Sequence, residues 1–93
     1  MCMSLETVRA EITGVDNEIV RLIAKRQDLA SEIAKIKSSQ GIPVHDAKRA
    51  AAVIESAVEL ATGYNIDPET VRKIFGILIA MSEERQRGCS CKD

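Results

Sequence analysis

The sequence from Ser4 to Ser39 decides the fold, and it reads SLETVRAEITGVDNEIVRLIAKRQDLASEIAKIKSS, without a proline. Apolar residues recur in it at alternating intervals of three and four, which is the spacing of one face of an α-helix. Ser4 is a suitable N-cap. Gly41 permits a left-handed exit from the helix, and Pro43 disfavours helical geometry in the residue before it. We therefore predict one long helix, whose apolar seam consists of Leu5, Val8, Ile12, Val15, Ile19, Leu22, Leu29, Ile33 and Ile36.

Two shorter helices follow the long one. Asp46 is a plausible N-cap for the second helix, which stops at Gly63. The third begins with Asp67 as its cap and Pro68 at the first helical position, and Gly88 is predicted to end it. No segment alternates with period two, so no strand is expected. The sequence predicts an all-α single domain over residues 1–93, with helices over about 4–39, 46–62 and 67–87 and a tail over 88–93.

The length of the first helix indicates a second chain. A helix of about 35 residues is roughly 50 Å long, whereas a compact domain of this size has a radius of gyration of about 12 Å. The two shorter helices cannot cover so long a seam, so another chain must bury much of it. We expect a two-fold homodimer, an intertwined helical bundle in which the first helices pair. The alternative is an ordinary helical hairpin whose first helix breaks near Gly14.

The composition excludes several classes of protein. The 93 residues carry a net charge of −1, and their aromatic residues are Tyr64 and Phe75. A chain with neither a basic stripe nor stacking rings is a poor candidate for nucleic-acid binding. No apolar run approaches the roughly 20 residues of a membrane span, and the N-terminus lacks the pattern of a signal peptide. We expect a cytoplasmic protein with no nucleic-acid or membrane partner.

The cysteines, Cys2, Cys89 and Cys91, lie near the two ends of the chain. An odd number in the tails is not the even, internal set of a secreted disulfide scaffold. They could in principle hold a metal. However, His45 is far away in sequence, and the spacing matches no common zinc pattern. We therefore expect no metal and interpret them as incidental thiols.

Polar residues occupy positions where the helices should face inward. Arg26 takes the slot between Leu22 and Leu29 in the seam, where it brings five donors and a charge into an apolar environment. Lys37 lies about three turns further along the same face. The other inward or adjacent polar residues are Ser82 and Gln86 on the third helix, Arg49 close to Asp46 on the second, and Arg9 on the first.

Each of these residues also has a structural explanation. An arginine in a seam often snorkels or forms an internal ion pair, and Lys37 near a helix C-terminus interacts favourably with the dipole. Asp46 is explained as a cap, and Ser82 and Gln86 could satisfy one another. Together, however, the residues form an excess of inward donors, mostly cationic. That excess indicates a small polyanionic ligand, such as a dicarboxylate, bound among the helices.

The sequence resembles the all-helical chorismate mutases over about residues 5–87. No single motif is specific to this family. The ordered set of motifs is specific, together with the order of a long, a short and a medium helix. The matching segments are Leu5–Arg9 with Ile12 and Val15–Asp16, Leu22–Arg26, Ile33–Lys37, Ile42–Asp46 through Arg49, and Ile74–Phe75 through Ser82 and Gln86.

The resemblance implies an isomerase of aromatic amino-acid biosynthesis that rearranges chorismate to prephenate. In this pericyclic reaction a carbon–oxygen bond breaks as a carbon–carbon bond forms, and no proton is transferred. The reaction therefore needs no acid–base pair, nucleophile, metal or cofactor. Catalysis would come from holding a compact conformer of the substrate and from stabilising negative charge on the ether oxygen.

The resemblance also implies that two chains share each site. Arg9 would come from the partner's long helix, and Arg9 and Arg26 would hold the two carboxylates of chorismate. Lys37 and Gln86 would donate to the ether oxygen, so that Lys37, Gln86 and Arg26 are the expected catalytic residues. The remaining substrate-binding residues would be Arg49 and Ser82, at the carboxylate and ring end, and Asp46, near the ring hydroxyl.

Ala50 departs from the family pattern, and it leaves one alternative open. Family members often carry Glu immediately after the position of Arg49, where it accepts from the ring hydroxyl. With Ala50 the hydroxyl would be held more loosely, or a water or Asp46 would take over. Related helical enzymes that eliminate pyruvate from isochorismate also lack this Glu, so an isochorismate pyruvate-lyase is an alternative. Ser82 favours the mutase, since a bulkier residue is expected there in the lyases.

A non-enzymatic helical dimerisation module is the other alternative. In such a module the inward cations would pair with acids across the interface. Replacing Arg26 or Lys37 would then damage folding, whereas a role in an active site predicts little loss of stability.

Overall fold

The computed structural model describes residues 4–90, except for the side chains of residues 89 and 90. Over that range the chain forms three helices and no strand: α1 Leu5–Gln40, α2 Ala47–Gly63 and α3 Pro68–Ser90. The predicted all-α fold of one long, one short and one medium helix is therefore confirmed. The interpretation of the cysteines as incidental thiols concerns Cys2, Cys91 and the side chain of Cys89, which lie outside the described residues.

The caps predicted around α1 and α2 are confirmed. The Oγ of Ser4 accepts a hydrogen bond from the backbone N–H of Thr7 at 3.1 Å. In the same way the Oδ1 of Asp46 accepts from the N–H of Arg49 at 3.0 Å. Gly41 follows α1 with a φ of 69°, a conformation in which a Cβ is strained. These local signals define the connecting segment between α1 and α2, residues 41–46.

The start of α3 agrees with the prediction, but its end does not. The Thr70 hydroxyl donates to the Oδ2 of Asp67 at 2.6 Å. This bond, together with backbone N–H groups of Glu69 and Thr70, lowers the pKa of Asp67. The predicted tail from Gly88 is wrong for residues 88–90, because α3 continues to Ser90. Gly88 keeps a negative φ, and glycine within a helix costs only about 1 kcal/mol relative to alanine.

α1 runs without a break through Gly14. A helical hairpin with a first helix broken near Gly14 is therefore wrong for this chain. A Cβ added at Gly14 would meet nothing within 4 Å, so packing within the chain does not require glycine there.

The packing of the helices leaves one long side of the chain open. α3 packs against both α1 and α2, whereas within the described residues no Cα atom of α1 lies within 8 Å of one of α2. The buried apolar residues in this range are the alanines Ala30, Ala34, Ala57 and Ala61. The radius of gyration is 16.8 Å and the longest dimension 58 Å, against about 12 Å for the radius of a compact chain of this length. The chain is elongated, and its own core consists of small side chains.

The N-terminal half of α1 is exposed: every residue from 5 to 22 is largely accessible to solvent in the single chain. Its apolar seam faces solvent in the single chain, with Leu5 at 64 % and Ile12 at 53 % exposure. Among the described helices, none combines the length and the apolar character that a membrane crossing requires.

Candidate active site

A cleft of about 430 Å³ lies between the C-terminal half of α1 and α2, the two helices that do not pack closely within the described residues. Side chains of α3 also line it, and the connecting segment closes one end through Val44 and Asp46. Its apolar lining comes from Leu29, Ile33 and Val53, among others. The sequence-predicted site residues that line this cleft are Arg26, Lys37, Asp46, Arg49, Ser82 and Gln86.

α1 contributes two half-buried cations to the cleft, and each is tied to a backbone carbonyl. The Nη1 of Arg26 donates to the carbonyl oxygen of Leu78 in α3 at 3.1 Å. The Nζ of Lys37 donates to the carbonyl oxygen of Val44 in the connecting segment at 2.7 Å. Neither bond uses a carboxylate, so the positive charges stay available to an anion in the cleft.

α3 contributes an amide and a hydroxyl one turn apart. The Nε2 of Gln86 donates to the Oγ of Ser82 at 3.0 Å, as their spacing of four residues in a helix permits. Gln86 is only 5 % exposed, although amide side chains are usually at the surface. A buried amide beside two cations gives the cleft a directional donor in addition to charge.

α2 begins at the cleft, and its first turn carries Asp46 and Arg49. Asp46 caps the helix through its Oδ1, which fixes the carboxylate at the rim of the cleft. Arg49 lines the cleft from the same turn, and Ala50 follows it there. The methyl group of Ala50 cannot accept a hydrogen bond, so any side-chain acceptor in the cleft belongs to another lining residue.

The charges that line the cleft favour an anion. Arg26, Lys37 and Arg49 are cations, whereas Asp46 and Glu83 are the acids of the lining. Sequence analysis did not select Glu83. Its signal in the sequence was weak: it lies four residues after the inward Ile79, but next to Ser82, which occupies the same stripe.

Arg9 does not line the cleft. It is 17 residues before Arg26 on the continuous helix α1, which is about 25 Å along the axis. An arginine side chain spans well under half of that distance. Arg9 cannot therefore reach the cleft of its own chain while α1 stays straight.

Among the described side chains, those of residues 4–88, no three of His, Cys, Asp or Glu come together as a metal site would require. What the cleft offers is hydrogen-bond donors: two guanidinium groups, one ammonium, one amide and one hydroxyl. This donor set can bind a compact molecule with more than one negative group and stabilise further negative charge on it.

Comparison with known proteins gives a consistent result. The family model described as chorismate mutase type II matches residues 8–87. A chorismate mutase of Methanocaldococcus jannaschii is 36 % identical over 87 residues, which covers 94 % of this chain and 88 % of that protein. A bifunctional chorismate mutase/prephenate dehydratase of Enterobacter agglomerans is 31 % identical over 81 % of this chain but only 19 % of its own length.

A solved structure has the same architecture. A conserved hypothetical protein from Pyrococcus furiosus superimposes with a TM-score of 0.68 and 31 % identity, covering 94 % of this chain and 100 % of the other. The helical arrangement described above is thus also found in the solved structure of a protein with a related sequence.

Proposed function

This chain belongs to the type II chorismate mutase family, and from that premise we propose how its cleft acts on chorismate. The family activity is an isomerisation, the rearrangement of chorismate to prephenate, on the route to aromatic amino acids. The observation that carries the proposal is the excess of cationic donors in a narrow, partly apolar cleft. Chorismate is a compact dicarboxylate, and such a cleft is complementary to it in both charge and size.

Arg26 and the Arg9 of a second copy bind the two carboxylates of chorismate in this proposal, and Arg49 supports the carboxylate and ring end. A guanidinium can form two parallel hydrogen bonds with one carboxylate, which fixes orientation as well as position. Arg26 is suited to this role because the Leu78 carbonyl engages one of its nitrogens at 3.1 Å and so restricts the side chain. Binding both carboxylates folds the substrate into the compact conformer from which it reacts, and this lowers the entropic part of the barrier.

Lys37 and Gln86 act on the ether oxygen. As the carbon–oxygen bond breaks, negative charge grows on that oxygen, and fixed donors stabilise it more in the transition state than in the ground state. Lys37 has two N–H groups left after its bond to Val44. Gln86 is buried, so water competes weakly for its amide. Asp46 and Ser82 complete the proposed site at the ring end of the substrate.

The functional unit in this proposal is a homodimer. The exposed apolar seam of residues 5–22 supports it, since full burial of a Leu, Ile or Val side chain is worth about 1.5–3 kcal/mol. The separation of about 25 Å along α1 gives Arg9 a role only in the cleft of a second copy, where it would bind a carboxylate. A cytoplasmic location stays a prediction from the sequence.

The alternatives have less support. The relatives described above are named as mutases, and the comparisons give no support to an isochorismate lyase or a non-enzymatic dimerisation module. Within the described residues, moreover, Arg26 and Lys37 donate to backbone carbonyls and not to acids. Ala50 is then a variation that the mutase tolerates.

The experiment that tests the function is incubation of the purified protein with chorismate and, separately, with isochorismate. We expect prephenate from chorismate and only slow release of pyruvate from isochorismate. Fast release of pyruvate from isochorismate would move the assignment to the lyase. Absence of product from both substrates would overturn the proposal.

A further inference from the structure

The connecting segment, residues 41–46, forms the end wall of the cleft, and two of its residues contact other parts of the chain. The carbonyl of Val44 accepts from the Nζ of Lys37 at 2.7 Å. The Nδ1 of the next residue, His45, lies 2.8 Å from the Oε2 of Glu83 in α3. Because a carboxylate only accepts, the Nδ1–H of His45 is the donor. One contact thus reaches the proposed catalytic ammonium, and the adjacent one reaches α3.

Glu83 is an unexpected residue for an anion-binding cleft. Its side chain is 18 % exposed, and its Oε1 lies 3.5 Å from the Nη2 of Arg87. A negative charge in the lining repels a dicarboxylate, so by itself it weakens substrate binding. The presence of an acid in the lining is explained if its carboxylate has a structural role, and the contact with His45 provides such a role.

The position of the connecting segment depends on such a contact. Within the described residues no Cα atom of α1 lies within 8 Å of one of α2, so close packing of these helices does not fix the segment between them. Its ends are set by Gly41 and by the Asp46 cap, but the bonds of these two residues are to α1 and α2 and do not involve α3. The bond between His45 and Glu83 joins residues 38 apart in sequence and links the segment, directly before the Asp46 cap, to α3.

We propose that Glu83 is a positioning residue that acts through His45. It holds the connecting segment against α3 and thereby keeps the Val44 carbonyl where it aligns the Lys37 ammonium. The proposal rests on the function proposed above for Lys37. Glu83 does not touch the reacting atoms in this role, and its effect reaches them through the segment.

The activity test compares kcat and KM in a set of variants. Glu83→Ala and His45→Ala should each lower kcat about tenfold, since small misplacement of a catalytic group is costly. KM should change less than about threefold, because the arginines that bind the carboxylates stay in place. The double variant should be no worse than either single variant, because all three remove the same contact.

Two further variants separate positioning from charge. Glu83→Gln keeps an acceptor for His45, so it should retain kcat within about threefold of the parent. Glu84→Ala removes an exposed carboxylate one residue away, and it is the matched control that should behave like the parent. If Glu83 acts only through its charge, Glu83→Ala and Glu83→Gln would both lower KM with kcat unchanged, and that result overturns the proposal. His45 is 61 % exposed, so His45→Ala keeps the test valid even if Glu83→Ala does not fold.

A second measurement does not depend on activity. His45 is the single histidine of the chain, so the ¹⁵N resonances of its imidazole are assigned without ambiguity. Glu83→Ala should shift the Nδ1 resonance, and Glu84→Ala should not. An unchanged resonance in Glu83→Ala overturns the contact and with it the proposal. Lack of prephenate formation by the parent would instead count against the proposed function alone.

Discussion

The two halves of α1 have the same apolar period but different surroundings. In residues 5–22 the seam is exposed along its whole length. In residues 26–40 the helix packs on α3, buries Ala30 and Ala34, and presents Arg26 and Lys37 to the cleft. The seam residues of this half, Leu29, Ile33 and Ile36, are nevertheless exposed, and the chain buries the neighbouring alanines instead. A period of three and four therefore marks the apolar face of a helix, but not which chain buries it. In the proposed dimer the N-terminal half packs against the second copy, and the C-terminal half lines the cleft.

The largest effect is expected from a charge in the N-terminal half. Ile12→Asp should weaken the proposed dimer at least about a thousandfold, because each of two copies places a carboxylate in an apolar interface at a cost of about 2 kcal/mol or more. Sedimentation equilibrium measures the dissociation constant. Asn17→Asp adds the same charge on the opposite face of α1 and should leave the dimer intact. Equal dimerisation of both variants would contradict the assignment of this half to an interface.

In the C-terminal half, Lys37→Ala should remove catalysis without removing the dimer. We expect kcat for prephenate formation to fall several hundredfold, as for loss of one donor to a developing oxyanion. Lys35→Ala is the matched control, since Lys35 is exposed and pairs only with Glu32 at the surface; its kcat should stay within about twofold. Near-normal turnover by Lys37→Ala would exclude Lys37 from the proposed role.

The two halves meet in one experiment if sites are shared between chains. Arg9→Ala and Arg26→Ala should each lower kcat/KM about a hundredfold, the loss of a charged contact to a carboxylate. An equal mixture of the two variants should regain about a quarter of the parent activity. Half of the dimers then contain one chain of each variant, and one of the two sites in such a dimer has both arginines. Subunit exchange is checked by mass spectrometry. With exchange established, no regain would place Arg9 outside the cleft of the partner.

The smallest effect is expected at the N-cap of α3, the helix that packs against the C-terminal half of α1. Asp67 begins α3, and its pKa is lowered chiefly by the Thr70 hydroxyl. A lowered pKa in the folded state means stability that is present above the ordinary value of 3.8 and lost as the pH falls through the folded value. Asp67→Asn should therefore lower Tm slightly at pH 7 and leave it unchanged well below pH 3.8. Thermal melts by circular dichroism at both pH values measure this; equal Tm differences at the two would argue against the carboxylate.

Local signals in the sequence were sufficient for most of the fold. Ser4, Gly41 and Asp46 act on groups within four residues of themselves, so a reader of the sequence can recognise them. Gly88 misled because glycine within a helical pattern need not adopt the left-handed conformation that Gly41 adopts after α1, and that choice depends on the residues around it. The period also predicted that Arg26 and Lys37 face inward, and the structure has them in the cleft lining.

The parts of the site that escaped prediction depend on contacts between distant residues. His45 and Glu83 are 38 positions apart, and each has an ordinary explanation as an exposed polar residue. The backbone carbonyls of Val44 and Leu78 are acceptors that every residue possesses, so no residue type identifies them. Such contacts follow from the angle at which the helices pack, which periodicity does not encode.

The alanine core has a consequence for the order of the folding reaction. A chain that buries Ala30, Ala34, Ala57 and Ala61 but no large apolar side chain within its described residues gains little free energy by collapsing alone. If the exposed seam is buried by a second copy, folding and association become one bimolecular process, and the folded fraction depends on protein concentration. Dilution would then lower the folded fraction of this protein, and a high local concentration of newly made chains would raise it.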